Sequence, residues 1–218
     1  MPKLAIIHTT PATVDSLKAL AAEILPDYEV VNLVDDSILP QLAHNGGDVS
    51  QVEERLVQYA RIASDIGAQA ILEACSSVGE VVSKMVDSVT IPVVRIDEAM
   101  AEAAIQRGQR IGIVATLPTT LNPTRRLLEA KAKSAGKTIE IRTALAESAY
   151  QKLMSGDRDG HDSDLMQVLV EIAKETDVVV LAQASMARVL PSLPAEIQDK
   201  FLTSPRMGME RVKAVLSQ

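Results

Sequence analysis

Short apolar runs of strand length alternate along this chain with stretches in which apolar residues recur every three or four positions. The first kind reads as a β-strand, the second as an amphipathic helix. Strands are predicted at Lys3–His8, Tyr28–Leu33, Ala70–Ala74, Val93–Ile96, Arg110–Ala115, Thr138–Thr143, Asp177–Ala182 and Phe201–Thr203. Between them, helices are predicted over about 13–25, from Ser50 to Gly67, from the turn after Ala74 to Asp87, over 97–106, from Asn122-Pro123 to Gly136, over 144–155, 164–175 and 186–190, and over 206–216. The stretch 35–48, with His44-Asn45-Gly46-Gly47, reads as a long polar loop of the kind that often forms a lid or binding loop. Ser50 with Glu53, and Ser77 with Glu80, have the spacing of capping boxes. Strands that alternate with helices predict parallel sheets with helices on their faces.

The chain is organised around residues 69–80, where the buried strand Ala70–Ala74 runs through a sharp turn into a helix start. Cys75 then stands between a strand's carboxyl end and a helix's amino end, where open α/β sheets keep their ligand crevice. The free N–H groups and positive end of a helix favour an anion at that place, either a bound carboxylate or the thiolate itself, and predict a lowered thiol pKa. Against this stands the plain alternative of a buried cysteine that acts as a small hydrophobe.

The two halves of the chain match. Residues from Leu4 lie over those from Ile111, a shift of 107, while Cys75 lies over Gln183 and Val93 over Phe201, each a shift of 108. A near-constant offset over three landmarks predicts two pseudo-symmetric α/β lobes, each a parallel sheet flanked by helices, with the active site in the cleft between them. The first lobe spans 1–97 and the second 98–205, and a closing helix over 206–218 packs on the first.

Composition narrows the function. The length of 218 residues suffices for a substantial core. A net charge of −7 without any Lys/Arg cluster argues against nucleic acid or an anionic membrane as partner. With aromatics at only 2%, base-stacking platforms are not expected. A single cysteine forms no internal disulfide, which fits a reducing cytosol and a cytoplasmic location. The apolar run at the N-terminus is too short for a signal peptide, and none in the chain has the length of a membrane span. His8, His44 and His161 lack metal-ligand spacing, and neither a dinucleotide fingerprint nor a P-loop is present, so no metal or cofactor is expected.

Three clusters converge on the expected cleft: His8-Thr9-Thr10, Cys75-Ser76-Ser77, and Thr116 with Thr119-Thr120. Hydroxyls and helix-start N–H groups are suitable donors to a carboxylate. A thiolate facing a carboxylate so held can take a proton from the adjacent carbon. For Ser77 and Thr120 helix capping is the competing reading. His8 beside Cys75 would allow a Cys–His nucleophile pair and a hydrolase. Glu73 shares a strand face with Cys75, so it either tunes the thiol, binds a ligand or sits at a wet edge.

The runs Leu72-Glu73-Ala74-Cys75-Ser76-Ser77-Val78-Gly79, Gly112-Ile113-Val114-Ala115-Thr116, Thr119-Thr120-Leu121-Asn122-Pro123-Thr124 and Thr203-Ser204-Pro205-Arg206 together resemble the aspartate/glutamate/hydantoin racemase superfamily. The resemblance implies a cofactor-independent isomerase, in homo-oligomeric form, that acts on a small carboxylate. In that family two cysteines, one per lobe, remove and return the proton next to a carboxylate. Cys75 matches the first, and Gln183 stands where the second should fall. Glutamine has no usable pKa, so Gln183 is expected as a neutral hydrogen-bonding partner. The candidate substrate contacts are His8, Thr9, Thr10, Ser76, Ser77, Thr116, Thr119, Thr120, Ala184 and Ser185. The alternatives are a single-cysteine lyase or decarboxylase of the same superfamily and a non-catalytic carboxylate sensor. The family's decarboxylases also keep one cysteine, but in the second lobe.

Overall fold

The structure is a computed structural model that describes residues 1–217. Among these the chain forms two compact units, Met1–Glu98 with the segment from Pro205 onward, and Ala99–Ser204.

In the first unit, β1 (Lys3–His8), β2 (Glu29–Val34), β3 (Ala68–Glu73) and β4 (Val93–Arg95) form a parallel sheet in the order β2-β1-β3-β4. The interior strands β1 and β3 are buried almost throughout, which is why they read as continuous apolar runs rather than alternating ones. The faces are covered separately. Ala5, Ile7, Ile71 and Val78 pack against α3 (Ser50–Asp65) and α4 (Val82–Ser88). Leu4, Ile6, Ala70, Leu72, Val94 and Ile96 pack against α1 (Val14–Ile24) and α10 (Ser204–Leu216), through Leu17, Ala21, Met209 and Val212.

The second unit repeats the strand order. Here β5 (Arg110–Ala115), β6 (Glu140–Leu145), β7 (Val178–Leu181) and β8 (Phe201–Thr203) run parallel as β6-β5-β7-β8. One face is covered by α7 (Glu147–Met154) and α8 (Arg158–Glu175), through Ala149, Leu165, Leu169 and Ile172. Helices α5 (Glu98–Arg107), α6 (Pro118–Ser134) and α9 (Ala195–Gln198) complete the connections.

Several local expectations are corrected. The expected loop over 35–48 contains helix α2 (Ile38–His44), because Ile38 and Leu42, one turn apart, are both drawn into the core. Helix α3 uses no capping box: Asp48, rather than Ser50, supplies the acceptor, taking the Ser50 N–H at 3.0 Å. Helix α6 starts at Pro118 and runs through Pro123, so Asn122 is no N-cap. A proline in the first turn costs no hydrogen bond, which makes Pro118 the better start. Helix α8 begins at Arg158 rather than at 164, since Asp157 caps it by accepting the Gly160 N–H at 2.8 Å. Gln218, placed in the expected closing helix, lies outside the described residues.

Gly208 fixes how closely α10 lies on the first sheet. A Cβ there would meet the Ile96 carbonyl oxygen at 2.6 Å, and backbone cannot swing aside as a flexible side chain would. Gly208→Ala is therefore expected to lower the unfolding free energy by about 1–3 kcal/mol, the scale of overpacking a tight contact. A reduced urea midpoint with unchanged circular dichroism is the result to look for.

Candidate active site

Cys75 follows the carboxyl end of β3 and opens the 3-10 turn Ser76–Val81, with an extended backbone at φ −136° and ψ 108°. The helix start expected here is thus a 3-10 turn, and α4 begins only at Val82. The proposed Ser77–Glu80 capping box does not form: no side chain caps this turn, and the buried Ser77 hydroxyl has no hydrogen-bond partner. The buried Thr9 hydroxyl just beyond β1 is in the same condition.

Glu73 is the residue whose setting differs most from a wet strand edge. It is 0% exposed, since β3 is an interior strand and the 3-10 turn covers its end. Its Oε1 accepts the Cys75 N–H at 2.7 Å, while its Oε2 is buried with no partner. In register beside it on β4 lies Arg95, which grips the fully buried Asp97 in a bidentate pair: Nε to Oδ1 at 2.5 Å and Nη2 to Oδ2 at 3.1 Å. Gly79 makes room for this pair, because a Cβ at that position would land on the Arg95 guanidinium. Asp97 had no place in the sequence-based site. The available signal was the spacing Glu73-x-Cys75 and Arg95-x-Asp97, each of which sets two polar residues on one face of a neighbouring strand.

These neighbours reverse the expected thiol chemistry. Burial, and then the charge of Glu73, push the Cys75 thiol up to about 11, although the Thr9 side chain and the Ser77 N–H and hydroxyl pull it down. The two hydroxyls therefore stand beside the sulfur without completing hydrogen bonds of ordinary geometry. Glu73 is pushed up to about 8 by burial and by the Asp97 charge, with Arg95 and the Cys75 N–H opposing. At neutral pH both groups hold their protons, and the cluster avoids an unpaired buried charge.

The other expected site residues divide. His8 is buried, with Nδ1 2.9 Å from the Thr13 hydroxyl and Nε2 2.9 Å from Asn32 Oδ1, so both ring nitrogens are committed. Burial lowers its pKa, with the Asn32 hydrogen bond opposing. Thr10 caps the turn after β1 by accepting the Ala12 N–H. Ser76 is buried at the start of the 3-10 turn. In the second unit, Gln183 follows β7 as Cys75 follows β3, and its Oε1 accepts the Thr116 N–H at 2.6 Å. Thr116 is buried; the Thr120 hydroxyl donates to the Leu117 carbonyl at 2.8 Å. Thr119 and Ala184 are partly exposed and Ser185 is exposed, at the starts of α6 and of the 3-10 turn Ala184–Ser192. Beyond the predicted set, His161 is buried with Nδ1 2.7 Å from Asp162, which also accepts from Arg188, and its Nε2 is unpartnered. No group of His, Cys, Asp or Glu among the described residues could hold a metal ion, and no helix there is long and apolar enough to cross a membrane.

The family model for Asp/Glu/hydantoin racemases matches residues 5–212. The chain belongs to this family. A search of curated protein sequences gives no match. Among solved structures, a putative Asp/Glu racemase from Yersinia pestis is 16% identical with a TM-score of 0.78, each chain covered in full. A glutamate racemase isoform from Bacillus anthracis is 15% identical with a TM-score of 0.76, covering 99% of this chain and 82% of the other. The Gly74Cys mutant of arylmalonate decarboxylase is 15% identical with a TM-score of 0.62, covering 99% and 94%. At these identities the likeness is one of fold, and the racemase assignment rests on the family model.

The buried Glu73 makes stability depend on pH. Its folded pKa lies above the ordinary value of 4.5, so between about 4.5 and 8 the native state holds a proton that the unfolded chain has lost. Stability from this group is therefore complete at low pH and is lost as pH rises through about 8. Glu73→Gln keeps the acceptor for the Cys75 N–H and removes the titration. It should match the native protein near pH 4.5 and exceed it by ~1–3 kcal/mol above pH 8, measured by urea unfolding across that range.

Proposed function

We propose that this chain is a cofactor-independent isomerase of the racemase type that moves a proton at the carbon next to the carboxylate of a small organic or amino acid. The observation that carries the reading is the set of unmet polar atoms about the one cysteine: the Thr9 and Ser77 hydroxyls and Glu73 Oε2 are all buried, and all adjoin Cys75. Buried hydroxyls without partners are costly, and a bound carboxylate would satisfy them. In this reading Cys75 carries the proton, while Thr9 and Ser77, with Thr10, Ser76, Thr116 and Thr119, supply donors to substrate. Gln183 is a neutral hydrogen-bonding partner: with Oε1 held by the Thr116 N–H, its NH2 remains as a donor. A homo-oligomer in the cytosol completes the assignment.

Gln183 favours a second reading within the same superfamily, a lyase or decarboxylase that needs a single proton donor. It offers no acid or base where the family places its second cysteine. Thermal shift against a panel of small dicarboxylates and 2-substituted acids identifies the ligand class, and turnover of the hits separates the two readings from a binding-only sensor.

Cys75→Ala should leave circular dichroism unchanged and lower turnover by more than about 10²-fold, the usual scale for a general acid or base. Equal activity in the variant would remove Cys75 from the mechanism. With one thiol, a proton leaves and returns on one face of the substrate carbon. The native protein should therefore not invert aspartate, glutamate or hydantoins efficiently, and incubation in deuterium oxide should give no exchange or exchange with retained configuration. Efficient inversion with solvent deuterium in the product is the contrary result.

A further inference from the structure

Building on the reading of Cys75 as proton carrier, we propose that Glu73 is the base that takes the Cys75 thiol proton, through its free oxygen Oε2. In this step the S–H bond breaks with its electron pair staying on sulfur, and an O–H bond forms on Oε2. A thiol and a carboxylate become a thiolate and a carboxylic acid, with the total charge unchanged. The reverse transfer returns the proton.

Geometry supplies the argument. Two residues apart on extended backbone, the two side chains leave the same face of β3. The Cys75 N–H holds Oε1 at 2.7 Å and so pins the carboxyl group to the cysteine itself. Oε2 is buried with no partner, so its lone pairs are unused, as are those of the neighbouring Thr9 and Ser77 hydroxyls, which are far weaker bases. A buried thiol by itself ionises too weakly to act near neutral pH; the Glu73 carboxylate, populated as pH rises toward about 8, is made by the same burial a stronger base than a surface carboxylate.

The surrounding charges are accounted for. Beside the effect of burial, Asp97 just beyond β4 raises the Glu73 pKa and outweighs Arg95, its bidentate partner, and Glu80 of the 3-10 turn acts on Arg95. From β1, His8 has both ring nitrogens bonded to Thr13 and Asn32. From α3, Arg55 is bonded to Asp35, Ser37 and Gln41. Glu73 and Cys75 are thus left to titrate against each other, in two macroscopic steps that belong to the pair.

The test needs no substrate. The chain has one cysteine, so iodoacetamide alkylation followed by mass spectrometry reports on Cys75 alone. In the native protein the alkylation rate should rise in two steps between pH 6 and 11, with a low shoulder where Glu73 ionises. In Glu73→Gln, which keeps the acceptor for the Cys75 N–H, the shoulder should vanish and the single remaining rise should lie about one pH unit or more below the native protein's main rise. Removing the Glu73 charge lowers the main rise even for a merely structural carboxyl, so the shoulder decides: a native profile without it overturns the proposal, as do superimposable curves. If the variant does not fold, the native profile decides: a fit by one titration overturns the proposal, and the shoulder upholds it. Absence of turnover on every acid in the panel would count against the enzymatic reading and leave the alkylation result standing. Superimposed curves with turnover intact would leave Cys75 a proton carrier without Glu73.

Discussion

A carboxyl group with no access to water, set beside the only thiol, is the constraint on which the rest of the first unit depends. Leaving Glu73 charged and alone in that place would be prohibitive. The unit meets the constraint in three ways. The Cys75 N–H binds one oxygen, burial and the Asp97 charge keep the group protonated near neutral pH, and Arg95 in the next strand opposes Asp97. Each needs the others. Removing Asp97 would leave a buried guanidinium without its bidentate partner, and removing Arg95 would leave two buried acids side by side.

The two units solve one local problem with different chemistry. Each has a sheet of the same strand order, and in each an interior strand ends in a 3-10 turn that opens on a residue of extended conformation. In the first unit that residue is Cys75, whose own N–H is bound by a side chain two positions earlier. In the second it is Gln183, whose side chain binds the N–H of a residue on the neighbouring strand connection. One turn carries a group that can gain or lose a proton, and the other carries a group that can only share one. The repeated framework accounts for the constant offset in the sequence, and the differing occupants account for the failure of the offset to conserve residue type.

The fold was legible because it is written in long-range periodicity. The apolar runs of β1, β3, β5 and β7, separated by helical repeats, leave few topologies open, and the family resemblance rests on the ends of β3, β5 and β8 with the segments that follow them. What could not be read depends on contacts between distant residues. Ser77 matches a capping-box spacing, yet the turn it sits in is 3-10 with no side-chain cap, and its hydroxyl is unpartnered. Pro123 looks like a helix start until Pro118 takes that place. Cys75 at a helix start implies a more acidic thiol, but burial and Glu73 outweigh the helix contribution. Asp97 reads as the first residue of a helix, and only the pairing of β3 with β4 brings it under the cysteine turn.

Gly79 ties the buried pair to a second position in the chain. Its missing Cβ is the space that the Arg95 guanidinium fills. Any side chain at 79 would evict the arginine, and a smaller residue at 95 would leave a void beneath the turn and strand Asp97 without its partner. Positions 79 and 95 are therefore not free to drift independently. A side chain at 79 requires the Arg95 guanidinium to shift, so what is tolerated at one of these positions depends on the residue at the other.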